Sequence, residues 1–346
     1  MRIFYRKSLW IDMVLAPLVL VSLLVAIAVT LRRLLYRKGA LRSQRAGCRV
    51  LSVGNLTLGG TGKTPLVIYL CGVLGTRRLA VVSRGYASRG RGIRLVSDGK
   101  NILSGPELCG DEPYLIAKAT KGVIVAVGKD REEVMEFVER RYAPEIIVID
   151  DGFSRLGVER DMDIVLIDGE NGFGNGHLLP AGPLREPVRA IRYADAIGIK
   201  GDGSAVDEQM ERLGLLDRVF HFRYGLDGIK TIDGDEAADT ADIRNSRVVC
   251  IAGIAFPDSF FGLIRSLGAR PVACLARPDH QNYSREEIER IISAYKPDAV
   301  IVTAKDAVKI ARIEREPGVL WLYASVSVQE QGDVLRQVLR ERGFLQ

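Results

Sequence analysis

The sequence predicts an α/β fold: a doubly wound, mostly parallel sheet with a phosphate-binding loop, a smaller second α/β domain, and an N-terminal membrane helix. Three observations predict it. Apolar runs rich in Val and Ile alternate with amphipathic helical segments, which is typical of buried parallel strands with helices between them. A glycine-rich loop at 54–62 follows the first of these runs. A long uncharged segment at 13–31 precedes them all.

The N-terminal segment has the length and composition of a membrane helix. Nineteen residues from Met13 to Leu31 carry no charge, which corresponds to about 28 Å of helix. Basic residues flank both ends and no small-residue cleavage site follows, so the pattern favours an uncleaved anchor over a signal peptide. The heavier positive flank lies after the segment, which predicts a cytoplasmic body. Pro17 and the basic flanks leave open whether the helix spans the bilayer or lies in its interface.

The charge of the chain is concentrated at the same end. Residues 1–49 hold ten basic residues and one acidic residue, whereas the remainder has a net charge of −3. Nucleic-acid-binding proteins carry their basic surface on the folded body, so this distribution excludes that class of partner and favours a membrane. The five cysteines form no CxxC pair, which disfavours a zinc ribbon or a disulfide framework.

The elements of the body follow in order along the chain. The first series of predicted strands lies near 49–53, 79–83, 122–127, 145–150, 163–168 and 196–200, with a helix at 130–142. Glycines within 218–234 predict a hairpin or linker. A second series of strands lies near 247–252, 270–275, 298–303 and 319–325, and Ser284 opens a capping box. We therefore expect an anchor at 1–38, a nucleotide-binding domain at 39–225 and a second domain at 226–346.

The glycine-rich loop carries the pattern of a phosphate-binding site. The predicted nucleotide-binding residues are Gly59, Gly60, Thr61, Gly62, Lys63 and Thr64. Backbone amides of such a loop and the amino end of the following helix bind phosphate oxygens, the lysine reaches the β- and γ-phosphates, and the last hydroxyl binds Mg²⁺. The strict motif has glycine where this chain has Thr57. A nucleotide-dependent dimer switch is an alternative, but that class has a lysine where this chain has Leu58.

Acidic residues follow two of the predicted strands. Asp150 and Asp151 end the strand at 145–150, and Asp168 ends the next one. An aspartate at a strand end can be a simple turn former. Beside a phosphate loop, however, Asp150 and Asp151 have the pattern of metal-organising acids.

Three further motifs are ambiguous from local chemistry alone. Asp111 precedes an apolar helical stretch and could be a helix cap rather than a functional acid. His280 stands in a short polar segment, where a histidine is usually unremarkable. The Gly- and Pro-rich loop at 172–186 is long enough to suggest a function, and its apolar residues argue against disorder.

Taken together, the motifs resemble those of the tetraacyldisaccharide 4′-kinase family of lipid A biosynthesis. The matching segments are VGNLTLGGTGKTP at 53–65, SRGY at 83–86, GDEP at 110–113, DDGF at 150–153, GFGNGHLLPAGPLRE at 172–186, GIAFP at 253–257, DHQNY at 279–283 and TAKDAVK at 303–309. Their order and spacing agree with the family from the anchor to about residue 310.

The resemblance implies a membrane-associated, two-domain kinase. It would transfer the γ-phosphoryl group of Mg-ATP to the 4′-hydroxyl of a tetraacylated glucosamine disaccharide 1-phosphate, at the cytoplasmic face of the inner membrane of a Gram-negative-type bacterium. By the same resemblance, Asp111 and His280 form a catalytic pair with Lys63 as a further catalytic residue. Thr64, Asp150, Asp151 and Glu186 are implied as the metal-binding residues.

The chain departs from the family pattern at three places. Ser154-Arg155 stands where the family usually has Gln-His, Gln281 where an aromatic residue or histidine is frequent, and Ala304 where glutamate is usual. These changes put local contacts in doubt but leave the phosphate loop intact. A related kinase acting on another membrane glycolipid remains an alternative.

Overall fold

The computed structural model describes residues 9–75, 77–85, 92–239, 243–244, 246–279 and 281–346. The strands are β1 (Arg49–Asn55), β2 (Leu79–Ser83), β3 (Arg94–Asp98), β4 (Ile124–Val127), β5 (Ile146–Asp150), β6 (Met162–Asp168), β7 (Ala196–Lys200), β8 (Val219–Thr231), β9 (Ala237–Ala238), β10 (Val248–Ala252), β11 (Ala273–Ala276), β12 (Ala299–Thr303) and β13 (Leu320–Gln331). The helices are α1 (Leu9–Arg37), α2 (Lys63–Leu74), α3 (Pro106–Cys109), α4 (Asp111–Ala119), α5 (Arg131–Tyr142), α6 (Ser204–Leu213), α7 (Pro257–Ser266), α8 (Arg285–Tyr295), α9 (Ala304–Ile310) and α10 (Val334–Glu341).

The strands form one thirteen-stranded sheet in the order β11-β10-β12-β13-β8-β7-β6-β1-β5-β2-β4-β3, with β9 attached to β8. Strands β4, β2, β5, β1, β6, β7 and β8 run parallel, as do β11, β10, β12 and β13. The two parallel blocks meet where β8 pairs antiparallel with β13. The mostly parallel α/β fold expected from the sequence is confirmed. Ligands of such sheets bind beyond the carboxyl ends of the strands, which directs attention to the ends of β1 and β5.

The predicted hairpin or linker at 218–234 is wrong. This segment contains one strand, β8. Its residues 219–222 pair with β7, and its residues 221–231 pair with β13. Its glycines suggested turns, but Gly225 has a packing role: a side chain there would overlap that of Gln329 in β13, whereas Gly228 has open space around it. A strand tolerates glycine where another group approaches its backbone closely.

The end of the chain packs with the first block of strands. Leu335, Leu339 and Phe344 are buried in the same apolar cluster as Leu51 of β1 and Leu66 of α2. The expected boundary at 225/226 falls inside β8, and the last residues of the second predicted domain return to the first core. We therefore keep a two-domain division as a proposal, with α10 assigned to the first domain.

The N-terminal helix α1 has two different faces. Val25, Ala26 and Val29 pack against the apolar cluster beneath the loop at 172–186. The opposite face exposes a stripe of apolar side chains, which comprises Leu20, Leu23, Leu24, Ile27, Leu31 and Leu34. In the described part of the chain, α1 alone is long and apolar enough to cross a membrane, over Pro17–Arg37. This helix supports an association of the protein with a membrane.

Candidate active site

The phosphate loop lies between β1 and α2. Strand β1 is buried after its first residue, and α2 begins at Lys63 directly after Gly62. Gly62 has a φ of 92°, and a Cβ at this position would overlap the hydroxyl of Tyr224 in β8. Both the backbone conformation and the available space therefore require glycine. The loop presents the amino end of α2, where backbone amides favour an anion.

The loop at 172–186 holds the phosphate loop from one side. The amide of Leu58 donates to the carbonyl of Pro183 at 2.7 Å, and Thr57 forms a β-bridge with Leu184. Thr57 stands where the strict motif has glycine. In this chain its backbone forms the isolated β-bridge with Leu184, a conformation that does not require glycine. The long loop predicted to be functional thus shapes the phosphate loop.

Lys63 and Arg185 bind the same acidic residue. The Nζ of Lys63 lies 3.1 Å from Asn55 Oδ1 and 3.6 Å from Asp151 Oδ1. Arg185 donates two hydrogen bonds of 2.8 Å to the Asp151 carboxylate and a third of 3.0 Å to the Asn55 carbonyl. Burial alone would raise the pKa of Asp151, but the Arg185 hydrogen bonds and the charge of Lys63 outweigh it and lower the pKa. Asp151 is therefore held as a carboxylate.

Asp150 is the buried last residue of β5 and differs sharply from its neighbour. Its Oδ2 accepts a hydrogen bond of 3.0 Å from the hydroxyl of Ser83, whereas its Oδ1 has no hydrogen-bond partner among the described residues. Burial, followed by the negative charges of Glu112 and Asp151, raises the pKa of Asp150 to about 7. A buried carboxylate oxygen without a partner is costly, and a cation bound there would satisfy it.

These residues fit Mg²⁺ better than a metal held by protein ligands alone. No group of three or more His, Cys, Asp or Glu side chains with metal-binding geometry occurs in the part of the chain described. Mg²⁺ sites in kinases use one or two carboxylates and complete their coordination with phosphate oxygens and water. Asp150, with its unsatisfied oxygen, and Asp151 supply such a pair beside the phosphate loop, and Thr64 follows Lys63 on the first turn of α2.

Two other acids have cationic partners of their own. Asp168 pairs with Lys200 at 2.5 Å and caps a turn by accepting from the Asn171 amide, so its contacts are those of a structural residue. Glu186, implied as a metal ligand by the family resemblance, is buried and accepts hydrogen bonds of 2.8 and 3.1 Å from Arg33 of α1. A metal at Glu186 would have to compete with this guanidinium for the carboxylate.

Asp111 is the first residue of α4 and is paired with a lysine. The cap position belongs to Gly110, and no side-chain capping hydrogen bond is formed there. The Oδ2 of Asp111 lies 3.0 Å from the Nζ of Lys309 in α9, and both side chains are largely buried. This ion pair joins Asp111 to a distant segment, a contact that a helix cap does not by itself require. The catalytic role of Asp111 stays a prediction.

The second member of the predicted catalytic pair, His280, lies outside the described residues, but both of its neighbours are described. Asp279 pairs with Lys305 at 2.8 Å, and the carbonyl of Gln281 accepts from Lys309 at 2.9 Å. Lys309 therefore binds Asp111 and a residue adjacent to His280 at once. Helix α9 thus contacts Asp111 and both residues that flank position 280.

Residues from three of the matching segments bind one buried carboxylate, that of Asp306. Its oxygens accept hydrogen bonds from the Thr303 hydroxyl at 2.6 Å, the Gly253 amide at 2.8 Å and the Tyr283 hydroxyl at 2.9 Å. These partners belong to the TAKDAVK, GIAFP and DHQNY segments. Their role is to fix the position of α9 and of the segment that carries His280.

A basic cavity of about 490 Å³ is lined by three cations, Arg84, Lys129 and Arg155, and by two acids, Asp130 and Glu133. Burial, followed by the charge of Arg155, lowers the pKa of the adjacent Arg131 to about 10. Arg155 is one of the residues at which the chain departs from the family pattern, and its charge enters this cavity.

Sequence analysis missed several residues of the site. Arg185 and Lys309 were within matching motifs but received no role, since nothing local shows that they bind Asp151 and Asp111. Asn55 is a strand-end amide without a distinctive pattern. Arg33 was counted only among the basic residues that flank the membrane helix.

Comparison with known proteins identifies the family of the chain. The profile of the family described as "Tetraacyldisaccharide-1-P 4'-kinase" matches residues 14–343. The tetraacyldisaccharide 4'-kinase of Syntrophus aciditrophicus is 38% identical over 313 residues, which cover 85% of this chain and 84% of that protein. The corresponding protein of Geobacter metallireducens is 37% identical over 320 residues, covering 91% and 93%.

A solved structure is similar over nearly the whole chain. The "apo" form of LpxK from Aquifex aeolicus, crystallised in complex with ATP, is 26% identical with a TM-score of 0.76, and the match covers 95% of this chain and 99% of that one. Fold, phosphate loop and sequence thus agree, and the chain belongs to the tetraacyldisaccharide-1-P 4'-kinase family.

Proposed function

We propose that the cleft formed by the phosphate loop, Asp150, Asp151 and the Asp111–Lys309 pair is where this chain carries out the reaction of its family. That reaction is the ATP-dependent phosphorylation of the 4′-hydroxyl of tetraacyldisaccharide 1-phosphate in lipid A biosynthesis. The observation that carries the assignment is the network in which Lys63 and Arg185 both bind Asp151 at the end of the phosphate loop.

Nucleotide binding is assigned to residues 59–64. The amides of the glycine-rich loop and the amino end of α2 bind phosphate oxygens, and Lys63 offsets negative charge on the group being transferred. Lys63 is held for this task by Asn55 and Asp151. Phosphoryl transfer depends mainly on position and electrostatics, so a preorganised cation is the principal contribution of the loop.

Mg²⁺ binding is assigned to Thr64, Asp150 and Asp151. When bound, the ion neutralises charge that develops on the phosphates. The chain prepares Asp151 through Arg185, which keeps that carboxylate ionised and fixes its orientation. Glu186 remains a predicted further ligand: its carboxylate binds Arg33, just as the carboxylate of Asp151 binds Arg185.

Activation of the acceptor hydroxyl is assigned to Asp111 together with His280. An alcohol must lose its proton as the new P–O bond forms, and a positioned base contributes about 10²–10⁴-fold to the rate. Lys309 orients the Asp111 carboxylate through the 3.0 Å contact between them. We assign the proton to the pair and not to either member.

The anionic end of the acceptor is assigned to the basic cavity. A phosphate monoester binds well where several guanidinium groups converge, and Arg84 and Arg155 both line this cavity. The acids that bind Mg²⁺ lie beside it, since the charges of Arg155, Asp150 and Asp151 all act on Arg131.

Membrane contact is assigned to the outward face of α1. The substrate carries acyl chains, and each CH₂ taken out of the bilayer costs about 0.8 kcal/mol, so the enzyme must work at the membrane surface. The apolar stripe of α1 and the basic residues that follow it suit the cytoplasmic leaflet of an inner membrane.

The test is transfer of ³²P from ATP to purified acceptors by the full-length protein in mixed micelles. We expect transfer to tetraacyldisaccharide 1-phosphate and a much higher KM for the same disaccharide without its 1-phosphate. Faster transfer to another membrane glycolipid would replace the proposed acceptor. ATP hydrolysis unaffected by any acceptor would instead favour a nucleotide switch.

A further inference from the structure

Arg33 is the buried member of the basic group at the end of α1. Its neighbours Arg32 and Arg37 are exposed, as expected for residues that face lipid headgroups, whereas Arg33 is 7% exposed. Its guanidinium binds Glu186, which is 2% exposed, through Nε and Nη2. It also lies 4.8 Å from the ring centroid of Phe153. A charge that serves only to attract a membrane would not be withdrawn from solvent in this way.

Both partners of Arg33 adjoin the residues that form the site. Phe153 follows Asp151 by two positions on the segment after β5, and Glu186 is bonded to Arg185. Arg185 in turn binds Asp151 through two hydrogen bonds. The Arg33 guanidinium therefore contacts two segments, the one that carries Asp151 and the one that carries Arg185. The hydrogen bonds between Arg185 and Asp151 join these two segments to each other.

The docking of α1 continues along the same loop. The hydroxyl of Ser22 donates to the carbonyl of Leu178 at 2.9 Å, and Val29 packs on the apolar cluster that contains Phe153 and Leu178. The outward face of the same turns carries the exposed apolar stripe. Helix α1 thus contacts the loop that carries Arg185 and Glu186 on one face and exposes an apolar stripe on the other.

We propose that Arg33 is a positioning residue that couples the docked membrane helix to the phosphoryl-transfer site. Through Glu186 and Phe153 it holds the segments of Arg185 and Asp151 in register, so that the site is fully assembled only when α1 is docked. The proposal rests on the kinase function assigned above. It gives Glu186 a role in binding the helix in this chain.

The variants are Arg33→Met, Arg33→Lys, Glu186→Gln and the double variant Arg33→Met/Glu186→Gln, all in the full-length chain. Arg32→Met removes the same charge from the exposed side of the same helix, together with one long hydrogen bond of 3.4 Å to the Ser154 carbonyl. It therefore measures what weaker attraction to anionic lipid and the loss of this exposed contact do while the Arg33–Glu186 pair stays intact. Each protein is assayed for kcat and KM toward the lipid acceptor in vesicles containing anionic phospholipid, for ATP affinity, and for thermal stability.

We expect Arg33→Met to lower kcat at saturating vesicle concentration at least about tenfold below Arg32→Met, because small displacements of catalytic groups cost large factors in rate. Arg33→Lys keeps the charge but not the two-pronged contact, so it recovers part of the loss. The double variant should be little slower than the slower single variant, since the two residues act as a unit.

Hydrogen exchange gives a readout that does not depend on catalysis. In Arg33→Met and in Glu186→Gln, we expect faster exchange of the amides of residues 22–36 and, in the same proteins, of the two segments that end at Phe153 and at Glu186. The exchange rates of the amides in β10 and β12 should stay unchanged. Hydrogen exchange needs no acceptor, so it tests the role of Arg33 even if the wild-type protein fails to phosphorylate the expected lipid. A failure of the kinase assignment can therefore be told apart from a failure of the Arg33 proposal.

Three results would overturn the proposal. One is a kcat of Arg33→Met equal to that of Arg32→Met, and a second is rate losses of the single variants that multiply in the double variant. The third is a loss confined to KM that added vesicles restore. If Arg33→Met does not fold, Arg33→Lys, which keeps the charge, and Glu186→Gln, which keeps the size of the side chain, decide between the same outcomes.

Discussion

Lys63 is the residue on which the phosphate-loop assignment depends most directly. It contacts Asn55 and Asp151 and stands at the first position of α2. Lys63→Ala removes the cation that offsets charge on the transferred group, so kcat should fall at least about 10²-fold. Steady-state transfer to the lipid acceptor measures it. Lys100→Ala, which removes an exposed lysine from a turn, is the matched control. Near wild-type activity of Lys63→Ala would remove the assignment.

Sequence motifs identified acids and cations of the site but not their pairing. Lys63, Asp150 and Asp151 were predictable because a glycine-rich loop and a strand end mark them. The partners Arg185 and Lys309 were not, because an ion pair between distant segments has no local signature. For Glu186, the family motif at 172–186 implied a metal ligand but did not reveal that its carboxylate binds Arg33 of the membrane helix.

At the scale of elements, α1 separates membrane binding from docking on the body. Replacing its outward stripe by Leu20→Gln, Leu24→Gln, Ile27→Gln and Leu31→Gln leaves the body-facing contacts in place. Each buried aliphatic side chain contributes about 1.5–3 kcal/mol, so the variant should shift from the membrane pellet to the soluble fraction without a change in Tm. Sedimentation with vesicles at high salt measures the shift.

The control removes four exposed apolar side chains elsewhere, through Ile102→Gln, Leu103→Gln, Leu216→Gln and Leu320→Gln. This protein should still pellet with vesicles. Deleting 1–38 should also release the body, but it uncovers the cluster beneath Val25 and Val29 and removes the partner of Glu186. If the stripe variant pellets fully, the body itself carries the dominant membrane contact.

Most strands were predictable because buried parallel strands are continuous apolar runs. Strand β5 was expected at 145–150 and spans Ile146–Asp150. The N-cap of α8 at Ser284 is confirmed by the hydrogen bond from the Glu287 amide to the Ser284 hydroxyl. Strand β8 was not predictable. Its glycines are local turn signals, and only its pairing with β13 across the sheet overrides them.

At the scale of the whole molecule, the first core depends on the end of the chain. Leu335, Leu339 and Phe344 are fully buried against β1 and α2. A fragment of residues 39–225 lacks these side chains and the partner strand β13, so it should show no cooperative thermal transition, whereas the full chain should show one. Circular dichroism on both proteins is the measurement. A fragment that melts cooperatively near the Tm of the full chain would mean that residues 39–225 form a self-sufficient domain.

Asp111, in the part of the chain that follows β3, and His280, in the part that follows β11, are proposed to act together on the acceptor hydroxyl. The most direct test is kcat for ³²P transfer by Asp111→Ala, His280→Ala and the double variant, with ATP affinity and Tm measured on the same proteins. We predict a strong loss in each single variant, a double variant little slower than the slower single one, and ATP affinity nearly unchanged. Rate losses that multiply, or a Tm lowered with kcat intact in the folded fraction, would contradict the account.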